Sequence, residues 1–167
     1  MTVPITLRDG CEVVIRPITA GDKRALNAAF ERLGERSRQL RFLSYKKRLT
    51  VAELAYLTEV DHMDHEALVA TDARGGGIVA VARYVRSGPG QDCAEAAVVV
   101  ADEWQGRGLG TALLSQLATR AGRQGIRRFE GTILWENRSV IELFKRLGAV
   151  RLTGARGVAN FVVELGG

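Results

Sequence analysis

Residues 98–111 read Val-Val-Val-Ala-Asp-Glu-Trp-Gln-Gly-Arg-Gly-Leu-Gly-Thr, and this stretch decides the fold. Its pattern predicts a buried strand, then a glycine-rich turn, then the first turn of a helix. Glycines at 106, 108 and 110 allow the backbone to curl so that successive N–H groups point toward one spot. The positive end of the helix dipole lies at the same place. The stretch therefore indicates a binding site for a pyrophosphate group.

Two common nucleotide-binding motifs do not match this turn. The Rossmann fingerprint needs the spacing Gly-x-Gly-x-x-Gly, which these three glycines do not have. A P-loop needs a lysine directly after its last glycine, and Gly110 is followed by Thr111. A turn that only joins the strand to the helix remains the alternative for a bare glycine cluster.

The rest of the chain alternates between predicted strands and helices with short links. Arg8-Asp9-Gly10 is a hairpin signal between predicted strands at 5–7 and 12–16, and Thr50 with Glu53 forms a capping box for a helix over 51–60. The other predicted strands cover 67–70, 78–85, 94–101, 128–134, 150–152 and 161–165, and the other helices cover 22–34, 109–123 and 137–147. This order predicts an α/β sandwich around one mixed sheet, antiparallel first and parallel at its centre.

Length and composition favour a single globular domain. The chain has 167 residues, of which 46% are hydrophobic and 26% charged, which excludes a disordered or collagen-like chain. A net charge of +5 with 6% aromatic residues is too mild to indicate a nucleic-acid partner. The sequence has no apolar run long enough for a membrane span and no signal peptide, so we expect a cytoplasmic protein without a membrane partner. Cys11 and Cys93 lie far apart and no cysteine is near His62 or His65, so we expect neither a disulfide framework nor a metal site.

Two segments resemble the GNAT superfamily of acetyltransferases. Residues 105–110, Gln-Gly-Arg-Gly-Leu-Gly, look like its signature Gln/Arg-x-x-Gly-x-Gly/Ala, and residues 137–149 resemble its Asn-x-x-Ala-x-x-Leu-Tyr-x-x-x-Gly-Phe region. The resemblance implies one acetyltransferase domain over residues 1–167. It also implies a central mixed, mostly antiparallel sheet of about seven strands flanked by about four helices. The cofactor that it implies is acetyl-CoA, with coenzyme A as the product.

The resemblance assigns cofactor roles residue by residue. The backbone of residues 106–111 would hold the pyrophosphate, residues 98–100 would pair with the pantetheine arm, and Lys145 or Arg146 would meet the adenosine phosphate. Asn137 would contact the arm near the thiol, with a plain helix cap as its alternative role. The full implied set is Val98, Val99, Val100, Gln105, Gly106, Arg107, Gly108, Leu109, Gly110, Thr111, Asn137, Ser139, Phe144 and Arg146.

Acetyl transfer to an amine needs a base, and Glu95 is the candidate. Deprotonating a free lysine of pKa about 10.4 at neutral pH costs about 4.6 kcal/mol. A carboxylate beside the amine can take that proton if its pKa lies near neutrality, which burial accomplishes. Glu95 interrupts an apolar strand that leads to the glycine turn, on one face with Ala97 and Val99. Its alternative role is an ion pair with Arg83 on the neighbouring strand, whereas many members of the family have a proposed general base on this strand.

Phe144 departs from the family, because many members have a tyrosine there as the general acid. Phenylalanine cannot donate a proton, but a thiol of pKa about 8.5 leaves readily, so no acid is required. Water or Ser139 could replace it. We expect the backbone N–H of Val99 or Val100 to meet the negative oxygen that develops during transfer.

The N-terminal half resembles the catalytic domain of Pat-type bacterial protein lysine acetyltransferases. The similarity lies in residues 8–10, 15–18, 32–43, 46–50, 60–61 and 65–70. It implies transfer to a protein lysine, on a partner such as an acyl-CoA synthetase. The basic residues within 32–48 could dock an acidic protein face, or could be an ordinary solvated surface. A small-molecule amine acetyltransferase and an acyl-CoA sensor without turnover remain alternatives, and the oligomeric state, monomer or homodimer, is left open.

Overall fold

The computed structural model describes residues 2–34, 48–154 and 157–166. They form an α/β fold with one sheet of eight strands where about seven were predicted. The strands are β1 (Val3–Thr6), β2 (Glu12–Pro17), β3 (His65–Asp72), β4 (Ile78–Arg86), β5 (Cys93–Val100), β6 (Arg128–Leu134), β7 (Val150–Thr153) and β8 (Val158–Glu164). The helices are α1 (Lys23–Arg32), α2 (Val51–Thr58), α3 (Leu109–Arg123) and α4 (Arg138–Lys145). The docking segment predicted within 32–48 lies mostly outside the described residues.

The sheet order is β1-β2-β3-β4-β5-β6-β8-β7. Tight turns join the first strands, which pair antiparallel. Among the described residues, only β5 and β6 pair in parallel, because α3 connects them. The prediction of a mixed sheet that is parallel at its centre is therefore confirmed.

Helices cover both faces of the sheet. Ala96 and Val98 of β5 belong to the apolar cluster under α3 and α4. Val99 faces the apolar cluster on the other side of the sheet, which includes Leu26 and Phe30 of α1. Alternation along the strand places Glu95 on the same face as Val99, toward the side that α1 and α2 cover.

Helix N-termini differ in how they are capped. At α2, the Glu53 N–H donates to Thr50 Oγ1 at 3.1 Å and the Thr50 N–H donates to Glu53 Oε1 at 3.0 Å, which confirms the capping box. At α1, the Asp22 carboxylate does not cap the helix. It accepts two hydrogen bonds of 2.8 Å from the Arg16 guanidinium, and these bonds lower the pKa of Asp22. The charge-assisted pair replaces the cap because a guanidinium offers a carboxylate two parallel donors.

Gly148, after α4, has no room for a side chain. A β-carbon at this position would collide with the backbone carbonyl oxygen of Glu164 in β8. We expect Gly148→Ala to lower the free energy of unfolding by about 3 kcal/mol, because backbone cannot move aside as a side chain can. Urea denaturation followed by circular dichroism measures this loss.

The matched control is Gly122→Ala, an exposed position in α3 with open space around a β-carbon. Alanine in a helix interior is favoured over glycine by about 0.5–1 kcal/mol, so this variant should be slightly more stable than the wild type. Equal midpoints for the two variants would contradict the collision at Gly148.

Candidate active site

The central strands β5 and β6 part halfway along their length. Their pairing runs only from Cys93 opposite Arg128 to Glu95 opposite Glu130. Beyond that point β5 stays paired with β4 as far as Val100, and β6 stays paired with β8. A cleft therefore opens in the middle of the sheet, and Glu95 lies where it begins.

The cleft side of β5 offers backbone hydrogen-bonding groups. The Ala101 N–H donates to the Val79 carbonyl of β4 at 2.8 Å. Alternation of an antiparallel ladder then directs the N–H and C=O groups of Val98 and Val100 away from β4, toward the cleft, and those of Val99 toward β4. Gln105 Nε2 donates to the Val100 carbonyl at 3.0 Å. Of the predicted oxyanion donors, Val100 therefore faces the cleft and Val99 does not.

The glycine turn needs its glycines for two different reasons. Gly106 and Gly108 have φ values of +77° and +89°, in the left-handed region that costs other residues about 1–2 kcal/mol. Gly108 is also the N-cap of α3. At Gly110 a β-carbon would lie 2.8 Å from Leu143 Cδ1, so this glycine allows α3 and α4 to approach closely.

A cavity of about 480 Å³ lies between this turn and α4. Many predicted cofactor residues line it, namely Val100, Gln105, Gly106, Gly108, Leu109, Gly110, Thr111, Ser139 and Arg146. Sequence reasoning missed Arg8, Trp104, Glu142 and Leu143. Glu142 and Leu143 share a helical face with Ser139 and Arg146, a spacing that could have indicated them. Of the two basic candidates at the end of α4, Arg146 lines the cavity, whereas Lys145 Nζ donates to Glu142 Oε1 at 3.2 Å.

Other predicted cofactor residues lie elsewhere. The Arg107 side chain leaves the cavity and forms an ion pair with Asp9 at 3.0 Å, so only its backbone belongs to the turn. The Phe144 ring is 1% exposed and packs 4.4 Å from the Phe161 ring, centroid to centroid. The side chain therefore belongs to the core on the buried face of α4, and its cofactor role stays a prediction. Val98 is also buried, so only its backbone can serve a ligand.

Asn137 occupies the N-cap position of α4 but its side chain does not cap the helix. The residue is buried, and its side-chain amide makes no hydrogen bond to any residue that the structure describes. The capping role is therefore not realised. The amide remains available to a ligand at the end of β6.

Glu95 is exposed, unlike its apolar neighbours in β5, so the burial that the sequence argument required of a general base is not found in the protein without its ligands. Within the described parts of the chain it forms no ion pair, and the alternative pair with Arg83 is absent. Arg83 Nη1 instead donates to the Leu57 carbonyl at 3.0 Å and lies 3.1 Å from His65 Nε2. The opposite carboxylate, Glu130, accepts a hydrogen bond of 2.7 Å from Ser87 Oγ. Glu95 is thus a carboxylate that has no partner among the described residues and lies where β5 and β6 separate.

His65 is neutral at physiological pH. Burial, followed by the charge of Arg83, lowers its pKa to about 4. The unfolded chain binds this proton near the ordinary pKa of about 6.5, so the folded protein loses stability as the pH falls from about 6.5 toward about 4. We expect His65→Gln to flatten this part of the stability curve, measured as the urea midpoint at several pH values. Parallel curves for wild type and variant would contradict the assignment.

Across residues 2–34, 48–154 and 157–166, no helix is long and apolar enough to cross a membrane. The same residues contain no group of three or more His, Cys, Asp or Glu side chains that could hold a metal ion. Burial raises the pKa of the Cys93 thiol, which disfavours the thiolate form.

Strands β5 and β6 separate beside a glycine turn that suits a diphosphate, and Glu95 lies where they separate. This arrangement is typical of an acyltransferase domain of the N-acetyltransferase type. The sequence model described as the Acetyltransferase (GNAT) family matches residues 24–149, and the chain belongs to this family. The family and fold predicted from residues 105–110 and 137–149 are therefore confirmed.

Individual relatives agree with this membership. The chain is 37% identical to the acetyltransferase Pat of Mycolicibacterium smegmatis over 98% of its own length, and it spans 49% of that protein. The crystal structure of the GNAT domain of S. lividans PAT superposes with a TM-score of 0.89 at 32% identity, covering 98% of this chain and 97% of that one. The structure of yncA from Salmonella typhimurium with its cofactor acetyl-CoA has a TM-score of 0.71 at 22% identity, covering 92% of each chain, which shows a shared fold.

Proposed function

We propose that this chain transfers the acetyl group of acetyl-CoA directly to the side-chain amine of a protein lysine, with Glu95 as the general base. The observation that supports this most is the course of β5, which runs from the exposed Glu95, where its pairing with β6 ends, to Val100, which lines the cavity beside the glycine turn. The similarity to Pat of Mycolicibacterium smegmatis supports the choice of a protein acceptor. The extent of the domain, residues 1–167, and a cytoplasmic location stay predictions.

The residues around the cavity fit coenzyme A. Its volume, about 480 Å³, lies within the range of ligand pockets, about 300–1,000 Å³. The left-handed turn at Gly106 and Gly108 and the start of α3 suit a diphosphate, and Arg8 and Arg146 add positive charge. The free edge of β5 suits the amide groups of a pantetheine arm. When bound, acetyl-CoA supplies a thioester whose carbonyl carbon is open to attack by an amine.

Groups of the protein then remove the proton of the amine and stabilise the negative charge that develops on the carbonyl oxygen. Glu95 accepts the proton of the acceptor amine, directly or through water, which makes the amine nucleophilic. The N–H of Val98 or Val100 donates to the carbonyl oxygen as negative charge develops on it. Phe144 has no proton to donate to the departing sulfur. Ser139, which lines the cavity, or water could donate one, and no donor is required where the sulfur departs as a thiolate, since the thiol pKa is about 8.5.

Labelled acetyl-CoA distinguishes the candidate functions. The protein is incubated with either a purified acyl-CoA synthetase or a panel of small amines that contains polyamines, amino acids and aminoglycosides. We expect label on a protein lysine, located by mass spectrometry. Label on small amines alone would overturn the protein acceptor, and binding of coenzyme A without any transfer would indicate a sensor. Absence of binding in calorimetry would overturn the whole proposal.

A further inference from the structure

Arg8, in the turn between β1 and β2, lies against the glycine turn although 100 residues separate the two in sequence. A β-carbon on Gly108 would be 3.3 Å from Arg8 Nε and 3.6 Å from Arg8 Nη2. Arg8 lines the same cavity as Gly106 and Gly108. Its guanidinium forms no hydrogen bond or ion pair with any described residue. An uncommitted positive charge therefore faces a turn whose geometry suits a diphosphate.

The β1–β2 turn is held in this position by its next residue. Asp9 Oδ2 lies 3.0 Å from Arg107 Nη1, and Asp9 Oδ1 accepts a hydrogen bond of 3.0 Å from the Cys11 N–H. The Arg107 guanidinium also lies 4.9 Å from the centre of the Trp104 ring, which is buried. Arg107 is thereby committed to the contact between the two turns, and Arg8 remains free for a ligand.

Arginine suits this position because its planar guanidinium can bind two phosphate oxygens at once. Arg8 lies beside Gly108, whereas Arg146 lines the cavity from the C-cap of α4. The two charges can therefore serve different phosphates of one ligand.

We propose that Arg8 binds the diphosphate of coenzyme A from the β1–β2 turn, and that the Asp9–Arg107 ion pair positions it. The diphosphate site would thus include a side chain from outside the glycine turn and its helix. This inference rests on the proposed function, because it names a further residue for the same cofactor.

Calorimetry without any acceptor tests the contact through binding alone. Coenzyme A and dephospho-coenzyme A, which lacks the phosphate on the adenosine ribose, are titrated into wild type and Arg8→Ala. We expect Arg8→Ala to weaken both ligands by the same factor, about 10- to 100-fold, the range for a lost charged hydrogen bond. The control is Arg74→Ala, an exposed arginine in the adjacent β3–β4 turn that lies outside the cavity. It should leave both affinities unchanged.

Each possible result for Arg8→Ala either supports or overturns the inference. Unchanged affinity for both ligands would overturn it while leaving the proposed function intact. Weakening of coenzyme A alone would place Arg8 on the ribose phosphate and overturn the diphosphate assignment. If wild type binds neither ligand, the proposed function falls, and the inference falls with it.

Asp9→Asn tests the positioning role separately. Removing a negative charge near a diphosphate would by itself strengthen binding. We expect weaker binding instead, because the turn loses its ion pair to Arg107, and no further weakening when Asp9→Asn is added to Arg8→Ala. Tighter binding by Asp9→Asn, or weakening that adds fully to that of Arg8→Ala, would overturn the positioning role.

Discussion

Replacing Glu95 with glutamine is expected to lower kcat roughly 100- to 10,000-fold, the usual contribution of a general base. Glutamine keeps the size of the side chain but cannot accept the proton of the amine. Because Glu95 is exposed and makes no ion pair with a described residue, the substitution should leave folding and coenzyme A binding intact. Steady-state rates and calorimetry on the same preparation separate the loss of catalysis from a loss of cofactor.

The pH profile adds a second readout for Glu95. Without a base, only acceptor that is already deprotonated can react, so the residual rate should rise about tenfold per pH unit below the acceptor's pKa of about 10.4. The rate of the wild-type enzyme should rise less steeply with pH above neutrality. A Glu95→Gln variant with wild-type rates at every pH would remove Glu95 from the mechanism.

Glu130→Gln is the matched control, because Glu130 lies directly opposite Glu95 in the parallel pair. Its carboxylate already accepts a hydrogen bond from Ser87, and a glutamine oxygen can accept the same bond. We expect rates within a few-fold of wild type. If Glu130→Gln abolishes transfer and Glu95→Gln does not, the base is on β6 rather than β5.

Local patterns predicted most of the fold. The capping box at Thr50 and Glu53, the hairpin signal before Cys11 and the glycines at 106 and 108 each depend on a few neighbouring residues. Such signals are readable because hydrogen bonds and φ values within a turn are set mainly by that turn. The order of these elements was enough to predict the mixed sheet.

The features that the sequence did not predict depend on contacts between elements that are far apart in the chain. Asp22 occupies the N-cap position of α1, but Arg16 binds its carboxylate once β2 and α1 are in place. The alternation of side chains along β5 predicted which face of the sheet carries Glu95, but not that this part of the face is exposed. Arg8 gave no signal, because its place in the site depends on contact between turns 100 residues apart. Phe144 shows a related limit, since the resemblance assigned it a role but did not predict its packing against Phe161 in the core.

Placing valine at Gly106 is expected to weaken coenzyme A binding by at least about 100-fold. Gly106 lines the cavity, and a β-carbon there would meet no protein atom within 4 Å. The new side chain would therefore not clash with the protein but would occupy the space of a ligand. The φ of +77° adds strain of about 1–3 kcal/mol, which calorimetry alone cannot separate from the lost contact.

Gly125→Val separates these two effects. Gly125 has a φ of +79° and the same open surroundings, but it lies beyond the opposite end of α3, outside the cavity. Both variants should lose similar stability in urea denaturation, since the backbone strain is the same. Only Gly106→Val should lose coenzyme A affinity, because only there does the side chain stand between the turn and the phosphates. Equal affinities for the two variants would mean that the diphosphate does not lie on this turn, and the glycine spacing would then serve only the passage from β5 into α3.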